Sequence, residues 1–336
     1  MLYSSANPSD SRVYKWDDIS DQFKGADILL GNGFSINLCD GFDYSQLFST
    51  FLNTIPEEKR NTYSSFKTAN FESILKSLDE AARINSLFEI VSDPIEDAIG
   101  EIRNGLIGSI FEKHPRPESK DDKKIKEIEI KLRPFNSIFT LNYDLFLYYV
   151  VLSAKDSHSN RETIFKWSDF FWGEGLRNFR VYQYPLTYTT YKPVYYLHGA
   201  IFIFNHDLSA KKRTMDFPNS NLLEAIGREI NSGEIPLFIS EGSYSQKRSM
   251  IYQNEYLSRG FEDFMTGSGN LVIYGASLLD PDKHIIEAIN KRMTRKIAIS
   301  LYLPNLNELQ RQTEMLRMKS LFKHHELFFF DSATLF

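Results

Sequence analysis

Two side chains at the ends of short apolar runs are of the types that carry acid–base and sugar chemistry. His198 follows Val194-Tyr195-Tyr196-Leu197 and precedes Gly199. An imidazole titrates near neutral pH, so at the mouth of a buried strand it can serve as a general base; the alternative is a core histidine with satisfied nitrogens. Asn142 and Asp144 follow Thr140-Leu141. A carboxamide there can hold a sugar hydroxyl or a water, and the carboxylate can bind an amide or orient a neighbour; the alternative is a helix cap or turn former. Two further segments put glycine after an apolar run: Gly31-Asn32-Gly33-Phe34-Ser35 behind Ile28-Leu29-Leu30, and Gly275-Ala276-Ser277-Leu278 behind Leu271-Val272-Ile273-Tyr274. Gly31 and Gly33 permit a tight turn and close backbone approach to a phosphate or ribose, and a following helix would aim backbone donors at an anion. A plain strand-to-helix turn is the commoner use of a lone Gly-x-Gly. In an open parallel sheet, ligands bind where strands end, so the four segments together imply one nucleotide pocket built from four strand ends.

Several familiar chemistries are absent. The dinucleotide fingerprint G-x-G-x-x-G fails, since Ile36 holds its third glycine position, and no acidic residue ends a second strand about 20 residues on. No Gly-Lys-Ser/Thr follows to make a phosphate-binding P-loop. The remaining histidines are less telling: His114 precedes Pro115, His158 and His206 lie in polar stretches, and His324 and His325 follow a basic helix end. His284, in Asp280-Pro281-Asp282-Lys283-His284, is assigned to helix N-terminal packing, with the pocket rim as the alternative. No His, Cys and carboxylate spacing resembles a metal site.

The elements that must position these residues alternate between strands and helices. Asp27 to Gly31, Phe135 to Leu141, Val194 to Leu197, Ile201 to Phe204 and Pro236 to Ser240 read as strands, and helices are expected over Tyr44 to Leu52 and Tyr143 to Ser153. From Leu271 the order is strand, helix (Pro281 to Met293), strand (Ile297 to Leu303), helix (Leu306 to Leu321), strand (Leu327 to Phe330), the signature of parallel β-α-β packing. The expected fold is α/β: a Rossmann-like parallel sheet with helices on both faces, in one domain spanning residues 1–336. A helical insertion covers about 56–134, where Phe71, Ile74, Leu75 and Leu78 recur at helical spacing, as do Ile95, Ala98, Ile99, Ile102, Leu106 and Ile110. Pro94 suits an early helix position after Ser92 and Asp93. The mixed charges of Glu118 to Lys131 fit a solvated loop and helix face. A second insertion, about 155–193, is rich in aromatics including Trp167, Phe170, Phe171, Trp172, Phe179, Tyr182, Tyr184, Tyr188 and Tyr191, and is expected to have its own small core or to form a contact surface.

Bulk composition bounds the function further. The chain has 336 residues, a formal net charge of −5 and one cysteine, Cys39. A negative balance argues against direct nucleic-acid binding, which needs a basic field. One cysteine provides neither a disulfide framework nor a four-thiolate zinc site, and suits a reduced, cytoplasmic setting. The polar N-terminus from Met1 to Asp18 has no apolar signal core. No apolar run reaches the roughly 18 to 20 residues that cross a bilayer, so no membrane association is expected. The many Phe and Tyr residues suit a large core and broad subunit contacts.

The order of these motifs resembles the sirtuin family, which carries a Gly-x-Gly-x-Ser turn, a Thr-x-Asn-x-Asp strand end, a His-Gly pair and a later Gly-x-Ser segment. Here they are Gly31-Asn32-Gly33-Phe34-Ser35, Thr140-Leu141-Asn142-Tyr143-Asp144, His198-Gly199 and Gly275-Ala276-Ser277. The resemblance covers the sheet segments, about half the chain. The zinc module of sirtuin deacylases needs two pairs of cysteines, which Cys39 alone does not supply, and of their Pro-Asp-Phe-Arg stretch only Phe42-Asp43 remains. The similarity is therefore to bacterial sirtuin-like proteins that hydrolyse NAD+ in antiphage defence; Ile239-Ser240-Glu241-Gly242-Ser243, Gln246-Lys247, Tyr256-Leu257-Ser258 and Gly269-Asn270 look like one branch of that group.

That resemblance implies a regulated NAD+ glycohydrolase that depletes NAD+ on infection, with NAD+ as substrate, no zinc and no other cofactor. It implies Asn142 and His198 as catalytic residues. Gly31, Asn32, Gly33, Phe34, Ser35 and Asp144 would hold the diphosphate and ribose, and Gly275, Ser277 and Leu278 the adenosine half. It further implies gating by homo-oligomerisation or by a partner such as a HerA-type ATPase or a nucleotide-sensing pyrophosphatase-like subunit. The alternatives are a non-catalytic module that binds NAD+ or ADP-ribose, and a zinc-less protein deacylase.

Overall fold

Runs such as Ile28-Leu29-Leu30 and Leu271-Val272-Ile273 offer no polar face, so they are stable as strands only where both sides of a sheet are covered. The computed structural model describes residues 12–114, 123–157, 165–172, 176–179, 190–214, 221–232, 234, 236–239, 244–294 and 296–336. In chain order the described strands are β1 (Val13–Tyr14), β2 (Asp27–Leu30), β3 (Ser137–Thr140), β4 (Phe165–Ser168), β5 (Phe171–Trp172), β6 (Leu176–Phe179), β7 (Thr190–Tyr196), β8 (Gly199–His206), β9 (Ser209–Arg213), β10 (Pro236–Phe238), β11 (Leu271–Tyr274), β12 (Lys296–Leu301) and β13 (Glu326–Asp331). Eight form a central sheet in the order β1-β13-β12-β11-β2-β3-β7-β4. Every pairing in it is parallel. Helices flank the sheet, as the crossovers between parallel strands require, and every residue of β2 and β11 is buried. The Rossmann-like α/β architecture expected from the sequence is the one observed.

From β2 the chain builds outward on one side through β3 and β7, then returns to the other side of β2 with β11, β12 and β13. The strand order therefore reverses between β2 and β11, which is the switch point of a doubly wound sheet. At the amino ends of these strands, the guanidinium of buried Arg292 bonds the Asp27 carboxylate and the Phe264 carbonyl.

The helical insertion enters between β2 and β3. It contains helices Tyr44–Thr54, Glu57–Ser64, Phe71–Leu87, Asp93–Lys113 and Lys123–Leu132. Asp43 and Asn70 cap two of them, accepting from the Gln46 and Ser73 backbone N–H groups. The i, i+3, i+4, i+7 set Phe71, Ile74, Leu75 and Leu78 is buried, as are Ile102, Leu106 and Ile110. Residues 118–122 of the charged stretch lie outside the described residues.

Two features differ from the sequence-based expectation. A second sheet, antiparallel and ordered β10-β8-β9-β6-β5, extends from the end of β7. Its strand Ser209–Arg213 carries three consecutive basic residues, with no apolar alternation to mark it in the sequence. Lys212 is nonetheless buried, paired with Asp169 and set 4.3 Å from the Tyr148 ring centroid. The aromatic insertion, in its described part, has no private core. Trp167, Phe171 and Phe179 belong to the common core, and Phe171 and Phe179 pack on Tyr256 at 4.8 and 5.1 Å between centroids. Tyr182, Tyr184, Tyr188 and His158 lie outside the described residues. Among the described residues no helix is long and apolar enough to cross a membrane.

Candidate functional site

The four motif-bearing strands are neighbours, in the order β11-β2-β3-β7. Register aligns Tyr274 with Leu30, Leu30 with Thr140, and Thr140 with Tyr196, so the strands finish in one row. The residues that follow that row are the four segments singled out by sequence.

At the switch point two loops touch backbone to backbone. Gly31 N–H donates to the Tyr274 carbonyl at 2.8 Å, and Gly33 N–H to the Gly275 carbonyl at 2.9 Å. A Cβ on Gly33 would stand 2.7 Å from the Gly275 Cα, and one on Gly275, whose φ is +66°, 2.6 Å from the Gly33 Cα. A Cβ on Gly31 would meet Ala276 at 2.5 Å. These glycines answer a packing demand that their spacing alone does not reveal. Phe34 N–H donates to the Gly31 carbonyl, so it and Gly33 N–H already have partners within the protein. The Phe34 ring is fully buried against Phe336.

Behind the first loop lies a buried polar chain. Asn142 Nδ2 donates to the Gly31 carbonyl at 3.0 Å and to Ser35 Oγ at 2.8 Å. Ser35 Oγ–H donates to Asp144 Oδ2 at 2.5 Å, and Phe146 N–H donates to Asp144 Oδ1 at 2.9 Å. A backbone carbonyl can only accept, which identifies the Asn142 atom facing Gly31 as its nitrogen. Both amide hydrogens are thereby engaged, which leaves Oδ1 as the side chain's remaining polar atom. Ser35, Asn142 and Asp144 are all buried. Burial pushes the Asp144 carboxyl up to about 6, against the opposing hydrogen bonds from Ser35 and Phe146. A recess of about 30 Å³ opens beside Asn142 and Asp144, walled by Asn32, Phe42, Phe71 and Leu106. It is large enough for a water. Thus the insertion helices, through Phe71 and Leu106, roof the strand ends.

His198 occupies the turn where the chain leaves β7 for β8. Gly199, at φ +75°, must be glycine: a Cβ would lie 1.9 Å from the Leu237 carbonyl oxygen of β10. Ile239 N–H donates to the His198 carbonyl at 2.8 Å. The His198 ring is 1% exposed, with its Nε2 2.8 Å from His284 Nε2, and its Nδ1 has no hydrogen-bond partner among the described residues. The Tyr143 ring flanks it at 6.4 Å, near parallel. Burial, and then the nearby Lys247 charge, hold this imidazole well below the usual histidine range, so it is neutral at pH 7.

The loop after β11 contributes differently. Leu278 is buried with φ +47°, and Ser277 is exposed. Arg317 grips both, donating to the Leu278 carbonyl at 3.0 Å and to the Ser277 carbonyl. His284 and Lys247 are buried groups to which the sequence reading gives no role in the site: His284 is assigned to helix N-terminal packing, with the pocket rim as the alternative, and Lys247 enters only through the resemblance. For His284 the place near a helix start is a weak signal; for Lys247, within a polar run, there is none. His114, less telling in sequence, accepts from the Leu145 N–H at 3.1 Å and supports the start of the helix after β3. Ser240, Glu241, Gly242 and Ser243 lie outside the described residues. A larger cavity, about 560 Å³, sits in the insertion beside Glu96, Glu101 and Asn104, and none of the strand-end residues lines it. Among the described residues no group of three or more His, Cys, Asp or Glu is placed to hold a metal ion.

Fold and site together define a doubly wound α/β protein in which Asn142, Ser35 and Asp144 form one polar chain behind the Gly31 loop, while His198, at the end of β7, pairs with His284. The chain belongs to the family described as Domain of unknown function (DUF4917), which matches residues 28–335 and so takes in all four strand-end segments. No curated protein matches the sequence.

Proposed function

We propose that this protein is a regulated NAD+ glycohydrolase, converting NAD+ to ADP-ribose and nicotinamide. The observation that carries this reading is the alignment of the Gly31, Asn142, His198 and Gly275 segments on four adjacent strand ends across the switch point. Their chemistry suits cleavage of a bond between ribose C1′ and a cationic pyridinium nitrogen. Nicotinamide departs neutral and needs no general acid, so one of the two carboxylates of an ordinary glycosidase is dispensable. What remains is to hold the sugar, stabilise an oxocarbenium-like transition state and activate water. Asn142, fixed through its amide nitrogen, offers Oδ1 to a ribose hydroxyl or to the attacking water. His198, neutral and buried, takes the proton. Gly31, Asn32, Gly33, Ser35 and Asp144 line the diphosphate and ribose side, and Gly275, Ser277 and Leu278 the adenosine side.

An ungated enzyme of this kind would exhaust its host's NAD+, so activity is proposed to depend on assembly or on a partner protein, in a cytoplasmic defence role. The turn between helices Phe71–Leu87 and Asp93–Lys113 supports this. There Leu87, Phe88 and Val91 are 74, 72 and 74% exposed, an apolar tip of the kind that association covers. The aromatic insertion is the weaker surface, because Trp167, Phe171 and Phe179 are buried in the core.

The test is to purify the protein with whatever co-assembles in its native host, add NAD+, and follow nicotinamide and ADP-ribose. Release of both, abolished in His198→Ala and Asn142→Ala, is expected. Tight NAD+ binding with no product in any assembly state would replace catalysis with a binding module. Formation of O-acyl-ADP-ribose from an acylated peptide would replace it with deacylation.

A further inference from the structure

His198 and His284 come from separate parts of the fold, one from the end of β7 and the other from the helix Lys283–Lys291 that follows β11. Both are 1% exposed, and their Nε2 atoms are 2.8 Å apart. At that distance one nitrogen donates and the other accepts. The ring centroids are 5.0 Å apart at 30°, and the Phe261 ring packs beside His284 at 6.2 Å and 28° between planes.

We propose that His284 is the positioning residue for the His198 base: it accepts the Nε2–H of His198 and so holds that ring in the tautomer whose Nδ1 carries the free lone pair. This rests on the NAD+ hydrolysis reading for its catalytic consequence, though not for the tautomer itself. Two arrangements of the shared proton exist. If His284 donated, the His198 Nε2 lone pair would be engaged and its Nδ1 would carry hydrogen, leaving no basic atom on the ring. If His198 donates, Nδ1 keeps its lone pair, and because that buried atom has no hydrogen-bond partner among the described residues the lone pair is free to take a proton. In the proposed step a water or ribose hydroxyl gives its proton to His198 Nδ1 while its oxygen keeps the electron pair. The imidazolium so formed continues to donate through Nε2–H to His284 Nε2. The pair has the logic of a base oriented by a third group, with a neutral imidazole in the place a carboxylate often takes.

The experiment compares His284→Gln, whose Oε1 can still accept from His198 Nε2–H, with His284→Leu, which cannot. In the assembled, active protein His284→Leu is expected to lose about 10- to 100-fold in kcat with KM little changed, the usual cost of removing the group that orients a functional histidine. His284→Gln is expected to recover most of that loss. Equal kcat in wild type and both variants overturns the proposal, and so does equal loss in two variants that keep the wild-type Tm. Ring-nitrogen NMR of ¹⁵N-histidine-labelled protein, assigned with His198→Gln, supplies the independent readout. His198 is expected as the Nε2–H tautomer in wild type and His284→Gln, and as a mixture in His284→Leu. An Nδ1–H tautomer in wild type overturns the proposal whether or not NAD+ is consumed. A wild type that is inert toward NAD+ but shows the expected tautomer overturns the enzymatic reading alone.

Discussion

The two halves of the candidate site are built on opposite terms. Around Asn142, Ser35 and Asp144 each donor named has a protein acceptor, and the glycine loops on either side are in contact with each other. Around His198 the backbone is equally fixed, yet Nδ1 has no partner among the described residues. A satisfied polar network holds shape; a buried polar atom without a partner costs stability and persists where something else has use for it. The first half is a scaffold in which the Asn142 amide hydrogens and the Ser35 hydroxyl are all committed to protein acceptors. The second half leaves a buried ring nitrogen of His198 without a partner among the described residues.

If this division is right, substitutions in the two halves fail in different measurements. The largest effect is expected at His198: His198→Ala should lower NAD+ turnover by about 10²- to 10⁴-fold, the usual worth of a positioned base. Turnover assays on the assembled protein, read beside a melting curve, check that activity falls far more than stability. Gly275→Ala tests the scaffold from the other side. A methyl at positive φ, 2.6 Å from the Gly33 Cα, should destabilise the fold by about 3 kcal/mol in urea titration.

Asp144 gives the scaffold a pH signature. Its carboxyl sits at about 6 when folded against an ordinary 3.8, so between those values the folded state binds the extra proton. Stability should therefore fall as pH rises from about 4 to 6, by roughly 3 kcal/mol in all, and level off above. Asp144→Asn should flatten that slope, and a slope unchanged in the variant would place the titration elsewhere. The smallest change in stability is expected for Asn142→Ala, about 1–3 kcal/mol, from leaving the Gly31 carbonyl and Ser35 Oγ short of a donor. A variant that lost turnover with an unchanged melt would move Asn142 out of the scaffold and into the second half.

The sequence revealed most where one physical rule acts alone. Apolar runs ending in Gly, Asn or His marked β2, β3, β7 and β11 to within a few residues, because a strand buried on both faces tolerates no polar position. Helix Phe71–Leu87 was legible from its i, i+3, i+4 pattern. The antiparallel sheet was legible only in part: Ile201 to Phe204 and Pro236 to Ser240 mark β8 and β10, but nothing in the sequence marks β5, β6 or β9. β9 hides a buried lysine whose place depends on Asp169 and two aromatic rings from other elements. β5 and β6 are short aromatic pieces that gain meaning only against Tyr256. In the site, residue types and order were readable while partnerships were not. Nothing near His198 in sequence points to His284, which lies 86 positions away. Nor does Gly-Asn-Gly announce that its demand comes from another glycine rather than from a phosphate.

The seam between the Gly31–Gly33 and Gly275–Ala276 loops has one more implication. Surface connections usually absorb extra residues at little cost, but here two main chains meet with no side chain between them to give way. Lengthening either loop by a single residue would force the pair apart and carry the carboxamide and its serine along. The register of the whole pocket is set by bare peptide groups, and its dimensions are inherited from the spacing of the strands beneath.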